Sequence, residues 1–126
     1  MSRAVAEILR KKAQGDFNAA VLLAQAEPPM DDETVGLHLQ QAVEKAAKAL
    51  LTWKNIKYPF THDIDALLRM LTANSCPVPG PFSDLDTLTP FATQARYERD
   101  VPPGSFDRSA FIALAHDFLR WTDTSR

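Results

Sequence analysis

Apolar residues recur along this chain at three- and four-residue intervals, and the pattern is interrupted wherever proline occurs. Val5, Leu9, Ala13, Phe17, Ala20 and Ala24 follow one another at such steps. That period puts them on one face of a helix, whereas a strand would alternate every second residue. Gly15 within this stretch costs about 1 kcal/mol relative to alanine, so tertiary packing must hold the helix. Pro28-Pro29 then closes it.

The next proline-free stretch opens with Asp31, Asp32 and Glu33, carboxylates suited to the positive end of a helix dipole. Val35, Leu39, Ala42, Ala46, Leu50 and Trp53 form its inward stripe. Ala42, Ala46, Ala47 and Ala49 raise helix propensity and let a neighbour approach closely, and Asn55 is the expected stop. Thr61 is the expected cap of a third helix, with Asp63 and Asp65 in its first turn. Ile64, Leu67, Leu68 and Leu71 point it inward. Pro77 to Pro81 reads as a surface loop, and Ser83 with Asp86 as a capped short turn. Thr89-Pro90 is a suitable start for a short helix through Phe91, Ala95 and Tyr97. A last helix is expected from near Ser105, with Phe111, Leu114, Phe118 and Trp121 inward. No run alternates as a strand would. The pattern predicts an all-α fold: an up-and-down helical bundle of four main helices plus a short extra helix, in a single domain spanning residues 1–126.

Composition narrows the possible functions. With 126 residues, 45% of them hydrophobic, the chain has the size and material for one core. No stretch approaches the roughly 18 apolar residues of a membrane span, and Glu7 and Arg10 interrupt any signal-peptide pattern. The one cysteine, Cys76, has no internal partner, which fits a reducing compartment. The expected location is cytoplasmic, with no membrane contact. A net charge of −2 argues against a broad electrostatic footprint on nucleic acid, but leaves room for a local cationic pocket.

One polar pattern stands out. His38, Gln41, Lys45 and Lys48 lie at helical spacing on the second helix, beside its apolar stripe rather than opposite it. Such a flank can line a groove between helices. The plainer alternative is a solvated face on which Glu44 and Lys48 form a helix-stabilising pair. The four glycines, Gly15, Gly36, Gly80 and Gly104, are scattered, so no phosphate loop exists. No serine sits in a nucleophile elbow, and Cys76 lies in a proline-rich loop.

The run His38-Leu39-Gln40-Gln41-Ala42-Val43-Glu44-Lys45-Ala46-Ala47-Lys48-Ala49-Leu50-Leu51 follows Ala13, Asp16 and Phe17, with Ala20, Leu22 and Leu23 after them. Thr61-His62-Asp63 with Leu67-Leu68 comes next, then Leu88-Thr89-Pro90-Phe91-Ala92 leading into Ala95-Arg96-Tyr97. In that order, over roughly residues 13 to 120, these pieces resemble the HEPN family of small helical domains. The resemblance implies a helical bundle, commonly homodimeric, often encoded beside a minimal nucleotidyltransferase and associated with RNA or nucleotide chemistry. Some members are metal-independent ribonuclease toxins of toxin–antitoxin pairs, marked by an arginine followed after four to six residues by histidine. That motif is missing. Arg96 is followed at those places by Val101, Pro102 and Pro103, Arg99 by Gly104, Ser105 and Phe106, and Arg69 by Asn74, Ser75 and Cys76. Seven residues separate Arg108 from His116.

What the resemblance leaves is a nucleotide or RNA-end site without catalytic residues, metal or cofactor. In it Lys45 and Lys48 would neutralise phosphate, and His38 and Gln41 would donate hydrogen bonds. Arg96 would bind phosphate bidentately and Tyr97 would stack on a base. Arg96 at a helix C-terminus and Tyr97 in partial core packing are the structural alternatives. Two rival functions remain. His38, His62-Asp63 and a later Asp100 or Asp117 follow the order of ligands in HD-type metal phosphohydrolases. A non-catalytic interaction module could use the alanine-rich second helix or the aromatic last helix as a contact.

Overall fold

The computed structural model describes residues 2–92 and 106–126, and among them every regular element is helical. Helix α1 spans Arg3–Gln25, α2 Asp32–Trp53 and α3 Ile64–Ala73; a 3-10 segment covers Gly80–Ala92, and α4 spans Arg108–Thr124. The protein is an all-α helical bundle built around α2, which packs against α1, α3, the 3-10 segment and α4.

Helix α1 starts where Ser2 Oγ accepts from the backbone of Ala4 and Val5 at 3.0 and 3.3 Å. Its buried face is Ala6, Ala13, Phe17 and Ala20. The expected stripe is therefore turned at its start, because Val5 is 49% exposed and Ala6 takes the inward place. Small side chains at Ala6, Ala13 and Ala20 let α1 lie close on the alanine-rich α2, where a branched valine would hold it off.

Asp31 caps α2, its carboxylate accepting from Thr34 N at 2.7 Å. Val35, Leu39, Ala42, Ala46 and Leu50 are buried, and Trp53 is half-buried. The helix ends at Asn55, which has φ 62°; Ile56 N reaches Leu51 O at 2.9 Å and Asn55 N reaches Thr52 O at 3.0 Å. The same C-terminal motif closes α3, with Ser75 at φ 66° and Cys76 N on Leu71 O at 2.9 Å.

Three expected starts differ in the structure. Asp63, not Thr61, caps α3, accepting from Ala66 N at 3.3 Å, while Thr61 Oγ1 accepts from Asp63 N. Helix α4 begins at Arg108 under an Asp107 cap rather than near Ser105. The segment after the proline loop is a 3-10 run that already includes Pro90, so Thr89 does not open a new helix there. The Thr89 hydroxyl instead accepts from Ile64 N at 3.2 Å and donates to Asp86, tying this segment to the start of α3.

One apolar cluster draws on every element, from Phe17 and Leu39 to Leu67, Leu85, Phe91 and Phe118. Phe82, Phe118 and Trp121 pack with centroids 5.2 to 5.8 Å apart. Arg108 Nε donates to Asp32 at 3.0 Å, locking the start of α4 to the start of α2. At the other end Trp53 carries Arg3 at 4.3 Å and Arg126 at 4.8 Å from its ring centroid.

Gly36 leaves room for the Phe91 ring against α2. A Cβ there would lie 2.7 Å from the Phe91 ring, which is itself packed on Phe106. Gly36→Val is predicted to destabilise the protein by about 2 kcal/mol through overpacking, read from the urea midpoint at unchanged slope.

Candidate functional site

The polar edge of α2 does not face solvent as a bare stripe. The structure brings His38, Gln41, Lys45 and Lys48 to the seams between α2 and its neighbours, and divides them into two groups. On the α1 side, Lys45 Nζ donates to Asp16 Oδ2 at 2.5 Å, and His38 Nδ1 lies 3.8 Å from Asp16 Oδ1. That distance is beyond hydrogen-bond range, and His38 Nδ1 has no other partner among the described residues.

On the other side the hub is Glu44, which is 5% exposed. Its carboxylate accepts from Gln40 Nε2 at 2.8 Å and from Lys48 Nζ at 3.0 Å, and pairs with His62 Nδ1 at 2.8 Å. Gln40, fully buried, also reaches His62 O at 3.4 Å, and Gln41 Nε2 donates to Gln40 Oε1 at 2.7 Å. Burial pushes the Glu44 carboxyl up, but the hydrogen bonds from Gln40, His62 and Lys48 and the Lys48 charge outweigh it. The net direction is down from the ordinary carboxylate value. The buried hub is anionic and fully engaged.

Beside it stands an exposed aromatic. Phe60 is 91% exposed, edge-on to the His62 ring at 5.3 Å, with Lys48 Nζ 5.7 Å from its centroid. Tyr58 lies 5.9 Å from the same ammonium and its hydroxyl is 3.2 Å from Thr52 Oγ1. With Glu44 on Nδ1, the imidazole of His62 is oriented and its Nε2 is left for another partner. Chemically, the arrangement offers a flat apolar ring, an oriented imidazole and a cation within one small patch.

Sequence reasoning singled out His38, Gln41, Lys45 and Lys48, and named Glu44 only as a surface partner of Lys48; it did not single out Gln40 or the Tyr58 and Phe60 pair. The available signal was spacing: Gln40, Glu44 and Lys48 are four apart, next to buried Leu39, Val43 and Ala47. Arg96 and Tyr97 lie outside the described residues, as does the helical stretch expected through Ala95. A cavity of about 370 Å³ opens between α3 and the 3-10 segment, lined by Leu68, Arg69, Val78, Pro79 and others, but none of the candidate residues reaches it. The HD-type reading finds no assembled donor set among the described residues. His62 is engaged by Glu44, Asp63 caps α3, Asp117 is exposed on α4, and Asp100 lies outside the described residues. No helix among the described residues is long and apolar enough to cross a membrane.

The family model of the HEPN domain matches residues 6–124, nearly the whole chain. No significant match to a curated protein or to a solved structure was found.

The lowered Glu44 value makes stability depend on pH with a definite sign. A carboxyl whose folded value lies below its unfolded one contributes fully above the unfolded value, about 4.3, and loses that contribution as pH falls through the folded value. The Glu44 contribution to wild-type stability is therefore predicted to be present at neutral pH and to be lost as pH falls below about 4.3. Glu44→Gln should be less stable at pH 7 and show a shallower acid slope, measured by urea denaturation across that range.

Proposed function

Because the chain belongs to the HEPN domain family, we propose that it binds a nucleotide or RNA end at the edge of α2. In this reading it acts as a homodimer beside a nucleotidyltransferase-type protein partner, in a toxin–antitoxin-like module in the cytoplasm. The single observation that carries the reading is the patch at Phe60. A ring that is 91% exposed stands beside Lys48 and His62, which the buried Glu44 holds in place. An exposed aromatic next to a cation is the minimal apparatus for stacking an unpaired base while meeting its phosphate. On the α1 side, His38 and Lys45 extend the same edge, Gln41 joins it through Gln40, and Arg96 and Tyr97 complete the proposed site.

Charge sets the strength of such a site. Lys45 is paired with Asp16 and Lys48 with Glu44, so the edge carries little net positive charge. Binding then depends on stacking and directed hydrogen bonds more than on a field. The same pairing favours a second reading, a non-catalytic interaction module in which this edge stiffens the bundle. Ribonuclease activity is not part of the proposal, because no arginine stands four to six residues before a histidine.

Titration of mononucleotides and a labelled short single-stranded RNA separates the two readings. Saturable binding to wild type is predicted, weakened in Phe60→Ala by about 1–3 kcal/mol per stacked base and weakened further with Lys45→Ala/Lys48→Ala. Wild type that binds none of these ligands would leave the interaction module as the function. Incubation of the same RNA with protein and chelator should leave it intact.

A further inference from the structure

The groups around Glu44 decide which nitrogen of His62 carries the proton. Gln41 donates to Gln40 Oε1, and Gln40 in turn donates to Glu44 Oε1. Lys48 donates to the other carboxylate oxygen, Oε2. These bonds hold the carboxyl below its ordinary value, so it is ionised at neutral pH and can only accept. The ring nitrogen that meets it at 2.8 Å, Nδ1, is therefore the donor. Lys48 already supplies a positive charge to the carboxylate, so His62 need not bring a second one. A neutral imidazole with its proton on Nδ1 keeps a lone pair on Nε2. None of the hydrogen bonds of His62 among the described residues uses that atom.

The two rings of the patch are placed for different tasks. The His62 side chain is 44% exposed and Phe60 is 91% exposed, with centroids 5.3 Å apart and planes at 74°. Rings so nearly perpendicular cannot both stack on one flat ligand. A base lying on Phe60 meets His62 by its edge instead. We infer that His62 Nε2 reads this edge as a hydrogen-bond acceptor, and that the patch takes a base bearing an exocyclic amino group, adenine above all. The inference rests on the nucleotide-binding reading of the patch and names its ligand.

Adenine offers the N6 amino group as a donor, whereas uracil sets a carbonyl oxygen at the corresponding place, lone pair against lone pair. Cytosine shares the amino group, but its single ring covers less of Phe60 and stacks more weakly. Lys48, 5.7 Å from the Phe60 centroid, has donors only, so it meets phosphate and does not compete for the amino group. Because the His62 ring is partly exposed, water competes at Nε2, and the gain is that of one ordinary hydrogen bond. That corresponds to about three- to tenfold in affinity. Glu44 is the positioning residue of the pair. With glutamine in its place the proton is no longer confined to Nδ1, and Nε2 ceases to be a dedicated acceptor.

The experiment titrates the full chain with AMP and with purine riboside 5′-monophosphate, which differs from AMP only in lacking the amino group. Both are followed by calorimetry at about pH 8, above the ordinary imidazole value of about 6.5. Wild type is expected to bind AMP about three- to tenfold more tightly than the purine riboside nucleotide. His62→Phe keeps a flat ring but has no acceptor, so this preference disappears. Glu44→Gln, acting through the imidazole, reduces it as well. Circular dichroism checks that both variants fold, and the wild-type comparison stands without them. Equal binding of the two nucleotides by wild type would overturn the acceptor role and leave the nucleotide site intact. A preference that survives in folded His62→Phe would do the same. Wild type that binds neither nucleotide would overturn both the inference and the site on which it rests.

Discussion

Helix α2 is enclosed by every other described element, and this enclosure governs what its side chains can be. A surface helix buries one stripe; α2 buries residues around most of its circumference, including Gly36, Gln40, Glu44 and Thr52. Polar groups placed there must find partners inside the protein, since an unpaired buried carboxylate is costly. Glu44 meets the requirement with Gln40, Lys48 and His62, and the three donors are held by doing so. Because His62 precedes α3, the same carboxylate also fixes how the chain approaches that helix. The architecture and the candidate site therefore share one interaction.

Much of the fold was legible because the helical period is strong. The stripe Val35, Leu39, Ala42, Ala46 and Leu50 is buried as its spacing predicts, and Asn55 ends α2 in the left-handed conformation that asparagine tolerates. What was not legible depended on tertiary neighbours. Val5 and Ala6 are both suitable inward residues, and only the close approach of α1 to α2 decides for alanine. Thr61 and Asp63 are both good caps, and the choice depends on how the chain arrives from Phe60. Thr89 had the chemistry of a helix start, yet its hydroxyl is used by Ile64 N, from a helix distant in sequence.

The site was legible in outline and incomplete in its chemistry. Spacing located the polar edge of α2 and offered the Glu44–Lys48 pair that the structure contains, but not the partner of Lys45, which is Asp16 on α1. Glu44 read as half of an exposed helical pair; burial turns it into the anionic centre of a network. Phe60 carries no periodic signal because it lies outside any helix, and only its exposure beside Lys48 gives it a role. The family relationship agrees with the helical bundle, and the sequence contains no arginine followed after four to six residues by histidine.

The network at Glu44 is tested most directly by a double-mutant cycle. Glu44→Gln, Lys48→Met and the double variant are compared with wild type by urea denaturation at pH 7. If the carboxylate and the ammonium depend on each other inside the seam, the two substitutions couple by roughly 1–3 kcal/mol. Strictly additive losses, with coupling indistinguishable from zero, would show that Glu44 does not hold Lys48 and would contradict the account of α2 and its edge.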